Sequence, residues 1–170
     1  MGSHAYLERL LASSETRWTF LRSSGFAANT LMWADQLRRT DTLCWFYGDA
    51  RRALIHERDL AEVGVRALLD TGHDGERHHL TGPECLTQRE QLDAIGEAVG
   101  RSLHFEELDP GTAAKQLFAT APPRMTQSIL DAHASFVTQP EPVTDTVARV
   151  TGHAALSFAQ WAREHAANFR

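Results

Sequence analysis

A histidine and a carboxylate stand together in the segment "IHERDLA", residues 55–61, and are suited to acid–base chemistry. His56 follows the end of an apolar segment and precedes Glu57. Because imidazole titrates near neutrality and can exchange a proton during catalysis, we predict His56 as a catalytic acid or base. A polar position at the rim of the fold is the alternative. Tyr47, a polar group within the aromatic segment "CWFYG", is the second catalytic candidate.

Large apolar side chains are concentrated between residues 26 and 47 and again between residues 118 and 136. If the fold brings the two regions together, they would line an apolar cavity with a few polar groups, which suits a hydrophobic small molecule. The predicted lining comprises Phe26, Trp33, Trp45, Phe46, Tyr47, Phe118, Met125 and Phe136, with polar groups from His56, Asp131 and His133. Packing of these side chains in an ordinary core is the alternative interpretation.

The histidine-rich segment "GHDGERHH", residues 72–79, raises the question of a metal site. His78 and His79 are adjacent, so in a strand they point to opposite faces. The sequence has neither an HExxH motif nor a Cys/His pair of the zinc type. We therefore predict no metal site.

Composition indicates one soluble domain, residues 1–170, with 42% apolar residues and a formal net charge of -5. No basic run follows a phosphate backbone, so nucleic acid is not an expected partner. No apolar window reaches the length of about 20 residues that a membrane span needs, so no membrane partner is expected. Cys44 and Cys85 are predicted to be free thiols, and the protein is predicted to be cytoplasmic.

The N-terminal half predicts alternating helices and strands. A first helix with an apolar stripe ends near Ser13, and "WTFL", residues 18–21, predicts a strand covered on both faces. A helix over Phe26–Arg39 should cover that strand, with Phe26 on its buried face. "TLCWFYG", residues 42–48, and "RRALI", residues 51–55, predict two further short strands or an extended loop, and Asp59 is predicted to cap the next helix.

The C-terminal half predicts mostly helix. Thr87 and Glu90 have the spacing of a capping box for a helix that ends at Gly100. "LHFEEL", residues 103–108, alternates as a half-exposed strand does. Helices follow over residues 112–120, 123–139 and 144–152, and a last helix is predicted to be capped by Ser157 and Gln160.

Three ordered blocks resemble the C-terminal part of NmrA-like proteins, atypical members of the short-chain dehydrogenase/reductase superfamily. They are "HAYLERLLASSETRWTFLRSSGFAANTL", "RRALIHERDLAEVGVRALLDTGH" and "HHLTGPECLTQREQLDAIGEAVGR". The resemblance implies an α/β fold: an incomplete doubly wound Rossmann-type sheet with a largely helical C-terminal substrate subdomain. It also places Arg22, Phe26 and Asn29 near the nicotinamide and substrate, with Ser23 in place of a proline.

The family's GxxGxxG turn, which holds the cofactor pyrophosphate, is not found among the 11 glycines of the sequence. The resemblance therefore implies a chain that lacks the preceding strands, and no bound cofactor is predicted. The apolar faces of the first helix and of "WTFL" would then need a cover. A second copy of the chain in a homodimer is the expected cover, and an upstream nucleotide-binding subunit is the alternative.

These observations predict a cofactor-independent enzyme of the cyclase or isomerase type, acting on a small apolar metabolite in bacterial secondary metabolism. Its substrate-binding residues are predicted to be Phe26, Asn29, Trp33, Trp45, Phe46, Phe118, His133 and Phe136. Two alternatives stay open. One is an NAD(P)H-dependent oxidoreductase whose nucleotide-binding half is missing or supplied by a partner. The other is a non-catalytic binding or regulatory subunit.

Overall fold

A computed structural model describes residues 3–170 of the chain. Its α-helices are α1 Ser3–Ala12, α2 Ala34–Arg39, α3 Glu57–Leu69, α4 Gln88–Val99, α5 Pro110–Leu117, α6 Pro123–Thr138, α7 Thr146–Thr151 and α8 Phe158–Glu164. Two 3-10 helices cover Ala27–Trp33 and Ala166–Phe169. The strands are β1 Phe20–Ser23, β2 Thr42–Trp45, β3 Arg51–Arg52, β4 Arg77–Leu80, β5 Leu86–Thr87 and β6 His104–Glu107.

The described strands pair in three short sheets. Strand β1 runs parallel to β4, with Phe20 opposite Arg77, and β2 runs parallel to β6, with Thr42 opposite His104. Strands β3 and β5 form an antiparallel pair. Helices connect the parallel strands, so the predicted α/β class with an incomplete Rossmann-type sheet is confirmed.

Most of the local sequence signals in the C-terminal half are confirmed, and one is confirmed only in part. The Thr87 hydroxyl accepts from the Glu90 backbone N–H, and the Glu90 carboxylate accepts from the Thr87 backbone N–H, which completes the capping box of α4. Gly100 ends that helix with a φ of 73°, a left-handed conformation that glycine adopts readily. Ser157 caps α8 by accepting from the Gln160 N–H, but Gln160 does not return the bond, because its side chain donates to Glu164.

Three predictions for the N-terminal half are wrong. Asp59 does not cap α3, because the helix begins at Glu57 and His56 is its N-cap. Phe26 precedes the observed helix, which starts at Ala27 as a 3-10 helix, and the residue is 39% exposed rather than buried. Strand β1 is not covered on both faces, since Phe20 is buried but Leu21 is only half-buried.

The main core lies between α4, α8 and the segment from Ala27 to Phe46, and it contains Trp33, Leu37, Trp161 and Phe169. A second cluster, Ile55, Val63, Leu80 and Val147, packs α3 and α7 against β4. By contrast, the stripe of α1 faces solvent, with Tyr6, Leu7, Leu10 and Leu11 each 45–57% exposed. Burial of this stripe by a second copy of the chain, or by an upstream subunit, stays a prediction.

Candidate functional site

A cavity of about 400 Å³ lies beside the main core. It is bounded by the 3-10 helix Ala27–Trp33, the end of β2, the region of β3, the first turn of α4, and α6. The lining residues are Asn29, Thr30, Met32, Trp33, Trp45, Phe46, Arg52, Leu54, Gln88, Gln91, Phe118, Met125, Ile129 and His133. Its size and its mostly apolar wall are those of a site for one small molecule.

Two other clefts have similar volumes, about 430 and 570 Å³. The first opens beside the solvent-exposed ion pair of Arg17 and Asp74, and the second is lined mainly by charged and small residues near Gly100. Neither contains a group of aromatic side chains. The aromatic cavity is therefore the best candidate for ligand binding.

The aromatic wall is built at the end of β2. Trp45 stacks on Phe46 with ring centroids 5.1 Å apart, and Trp33 meets Trp45 edge to face at 6.0 Å. Phe46 also meets the rings of Phe118 and His133 edge to face, at 5.7 and 5.1 Å. Such contacts fix the orientation of each ring, so the wall is largely preformed.

A buried glutamine holds the turn that follows β2. The Gln88 side-chain amide donates to the backbone carbonyls of Phe46 and Tyr47, at 2.7 and 2.9 Å. Tyr47 has a φ of 51°, an uncommon conformation for a bulky residue. Sequence reasoning did not find Gln88, although its place directly after the capping residue Thr87 put it at the start of a helix.

His133 is the one imidazole among the described cavity residues. Its Nδ1 lies 2.8 Å from the backbone carbonyl of Ile129. A carbonyl only accepts, so Nδ1 carries the proton and the neutral ring keeps a free lone pair on Nε2. Burial lowers the pKa of His133, and the positive charge of Arg52 lowers it further, against the opposing effects of the Ile129 carbonyl and Glu141. His133 is therefore neutral at pH 7.

Arg52 supplies the cationic group of the described lining, but its charge is already paired. Its Nε donates to the Glu141 carboxylate at 3.0 Å, and both side chains are largely buried. The same carboxylate oxygen accepts from the Ala53 backbone N–H. The Arg52 guanidinium also lies over the Phe136 ring, 4.4 Å from its centroid. Phe136 thus contacts a cavity residue without lining the cavity itself.

The structure brings seven of the predicted cavity residues together: Asn29, Trp33, Trp45, Phe46, Phe118, Met125 and His133. It does not bring Phe26, Tyr47, His56, Asp131 or Phe136 into the lining. Sequence reasoning missed Thr30, Arg52, Gln88 and Gln91, which are polar residues on elements whose inner face only the tertiary structure defines. A functional role for any of these residues stays a prediction.

His56, the first catalytic candidate, has a structural role that the sequence did not indicate. Only 1% of the residue is exposed, and its Nδ1 accepts from the Arg58 backbone N–H at 3.2 Å. Its Nε2 faces the Glu164 carboxylate of α8 at 3.3 Å. Asp59 accepts from the Leu156 backbone N–H at 2.7 Å, and burial raises the pKa of this carboxyl. These contacts join α3 to the segment around α8, away from the cavity.

The histidine-rich segment likewise has a local arrangement. His78 is buried and His79 is exposed, as expected for adjacent strand residues. His78 Nε2 lies 3.0 Å from His73 Nδ1, and burial lowers the pKa of His78. Over residues 3–170, no three His, Cys, Asp or Glu side chains form a group that could hold a metal ion.

The described residues do not fit the pyrophosphate of a dinucleotide. Such a group needs a glycine-rich turn between a strand and the N-terminus of a helix. Within residues 3–170, the glycines with positive φ lie elsewhere: Gly72 and Gly75 between α3 and β4, and Gly100 and Gly152 after the ends of α4 and α7. Over the same residues, no helix is both long and apolar enough to cross a membrane.

The chain has the fold of solved reductases and epimerases. It aligns with the NADPH-dependent quinone oxidoreductase of Escherichia coli with a TM-score of 0.79 and 20% identity, covering 95% of this chain and 59% of that one. It aligns with NmrA, a negative transcriptional regulator, with a TM-score of 0.64 and 17% identity, covering 93% of this chain and 55% of NmrA. The predicted fold resemblance is therefore confirmed.

Two curated proteins are similar in sequence. The chain is 38% identical over 163 residues to (4-alkanoyl-5-oxo-2,5-dihydrofuran-3-yl)methyl phosphate reductase of Streptomyces griseus, covering 95% of this chain and 58% of the relative. It is 30% identical over 167 residues to NAD(P)H azoreductase of Xenophilus azovorans, covering 95% of this chain and 57% of the relative. The chain therefore spans little more than half the length of these relatives. No protein-family model matches the chain.

These similarities overturn the predicted reaction. The relatives are named as reductases, so the prediction of a cofactor-independent cyclase or isomerase is wrong. The comparisons do not support the assignment to secondary metabolism either. The error came from treating a sequence without a glycine-rich turn as evidence against redox chemistry.

Proposed function

We propose that the protein takes part in an NAD(P)H-dependent reduction of a small, largely apolar molecule, and that these 170 residues supply the substrate cavity. The preformed aromatic cavity is the observation that carries the proposal. Two relatives with at least 30% identity, each named as a reductase, favour this reaction over a purely regulatory role. The NmrA-type regulator has a similar fold, but fold alone does not indicate function.

In this proposal the dinucleotide is held by residues outside the 170, on the same polypeptide or on a partner, because the described residues do not fit its pyrophosphate. When bound, that cofactor supplies the hydride. The residues described here bind and orient the acceptor: the rings of Trp33, Trp45 and Phe46 set its plane, and the apolar wall excludes water. These are contributions of position and desolvation, which increase the rate without a charged catalytic group.

Binding by the chain alone is the first test. A hydrophobic quinone and a neutral azo compound should each quench tryptophan fluorescence, because Trp33 and Trp45 line the cavity. Met125→Trp should weaken binding about tenfold, an effect of about 1.4 kcal/mol, because Met125 lines the cavity and is 56% exposed at its edge. Val137→Trp is the matched control, since Val137 lies on the same helix, is 40% exposed and does not line the cavity.

Turnover is the second test. A chimera joins this chain to the part of the azoreductase that lies outside the matched residues. We expect it to oxidise NADPH in the presence of a quinone or an azo compound, measured by absorbance, with Met125→Trp reducing the rate and Val137→Trp leaving it unchanged. NADPH binding by the chimera reports that it has folded. A chimera that binds NADPH but never reduces an acceptor would contradict the proposal.

A further inference from the structure

Three buried polar side chains of the cavity, those of Thr30, Gln88 and Gln91, donate hydrogen bonds to backbone carbonyls of the protein. The Thr30 hydroxyl donates to the Ala27 carbonyl at 2.7 Å, and the Gln91 amide donates to the Leu86 carbonyl at 3.2 Å. Both N–H bonds of the Gln88 amide are used by the carbonyls of Phe46 and Tyr47. The oxygen lone pairs of these side chains have no such partners within residues 3–170. The buried wall is therefore richer in free acceptors than in free donors.

His133 adds an acceptor of defined geometry. Its Nδ1–H is held by the Ile129 carbonyl, so the neutral ring presents a bare Nε2. Its edge-to-face contact with Phe46, at 5.1 Å, fixes the ring plane within the aromatic wall. Among the described residues, Nε2 has no hydrogen-bond partner. The atom is also not fully buried. A ligand in the cavity can therefore reach this lone pair.

The charge in the wall disfavours an anion. Arg52 is paired with the largely buried carboxylate of Glu141, so its positive charge is already balanced inside the protein. A phosphate group in the cavity would lose its hydration and gain no unpaired cation from the described wall. An uncharged ligand loses far less on entering such a cavity.

We propose that the cavity takes an uncharged, conjugated molecule bearing a hydroxyl or N–H group, and that His133 Nε2 accepts the hydrogen bond from that group. The inference rests on the proposed function, because it names the substrate class of the same cavity. It makes His133 a residue that determines specificity: it selects a donor-bearing molecule over one of the same shape without a donor. A lost hydrogen bond to a buried acceptor costs about 1 kcal/mol, or about fivefold in affinity.

Three naphthalenes that differ only in the substituent at position 1 test the proposal by titration calorimetry at about pH 7.5, where a histidine of lowered pKa is neutral. We expect 1-naphthol to bind about fivefold more tightly than 1-methoxynaphthalene, and 1-naphthyl phosphate to bind most weakly. In His133→Phe, which keeps the ring but removes Nε2, the naphthol preference should disappear. His79→Phe is the matched control, because His79 is exposed and lies outside the cavity, and it should keep the preference.

Each outcome decides a separate point. Equal binding of naphthol and methoxynaphthalene by the wild-type chain would overturn the role of His133 and leave the cavity as a binding site. Tightest binding of the naphthyl phosphate would overturn the exclusion of anions. If none of the three binds, the cavity is not a ligand site and the proposed function fails with it. If His133→Phe does not fold by circular dichroism, the wild-type ligand series decides the proposal alone.

Discussion

Gln88 is expected to stabilise both the turn after β2 and the aromatic wall that the turn positions. The residue is 4% exposed, and its amide donates to two backbone carbonyls, those of Phe46 and Tyr47. Gln88→Leu keeps the apolar volume and removes both donors. The Phe46 carbonyl would lose its only hydrogen bond among those found in residues 3–170, whereas the Tyr47 carbonyl would still accept from the Ala50 N–H.

The magnitude follows from those two bonds. A buried carbonyl without a partner costs about 1–3 kcal/mol, and the second lost bond costs about 0.5–1.5 kcal/mol. We therefore expect the free energy of unfolding to fall by about 2–4 kcal/mol, measured by urea denaturation. For a chain of this size the melting temperature should fall by about 5–15 °C. Quinone affinity should fall as well, since Trp45 and Phe46 lose their fixed positions.

Gln127→Leu is the matched control. Gln127 is exposed on α6, and its amide bonds Asp131 one turn along the helix, so its loss should change stability by less than about 0.5 kcal/mol. Gln88→Glu is the second variant. It keeps the shape and places a carboxylate oxygen against two carbonyls, so it should destabilise the protein more than Gln88→Leu does. If Gln88→Leu unfolds at the same urea concentration as the wild type, the assigned role of the amide is refuted.

Three further predictions concern packing, titration and capping. Gly82→Ala should lower the free energy of unfolding by about 2 kcal/mol or more, because the new Cβ would lie 2.1 Å from the Leu54 carbonyl oxygen. Gly64→Ala in α3 is the matched change, because the new Cβ meets only an ordinary contact with Leu21, and it should stabilise the protein by about 0.5–1 kcal/mol. Urea denaturation measures both. His133 has a lowered pKa in the folded state, so the unfolded state binds more protons below about pH 6.5. Stability should therefore fall as the pH falls from that value toward the folded pKa, and His133→Phe should lose this part of the pH dependence in denaturation curves. His56→Ala should cost about 1 kcal/mol through the lost N-cap, while His56→Asn should retain most of it, and neither should change ligand binding.

Each of these three has a contrary outcome. Equal stabilities of the two glycine variants would contradict the close approach of Leu54 to Gly82. A stability curve for His133→Phe that parallels the wild type at acidic pH would show that His133 is not buried in its neutral form. Loss of acceptor reduction by a folded His56→Asn chimera would return His56 to the catalytic candidates and remove the capping explanation.

Much of the local structure could be predicted from the sequence, because its causes lie within a few residues. The capping box of Thr87 and Glu90, the C-terminal Gly100 and the Ser157 cap of α8 each depend on contacts along one turn of a helix. The failures at Asp59 and Phe26 share one cause. A polar or aromatic residue near a helix start has several possible roles, and long-range contacts, such as that of Asp59 with Leu156, decide among them.

The α/β class and the aromatic residues available for a cavity could be predicted from the amino-acid sequence. Those properties depend on residue type and periodicity. Which side chains meet depends on the three-dimensional fold. It joined Trp33, Phe46, Phe118 and His133 around one cavity and paired Arg52 with Glu141 across 89 positions of the chain. It also buried His56 elsewhere as a cap. The reason is physical: hydrogen bonds and ring contacts act over a few ångströms, and the fold alone sets which distant residues come that close.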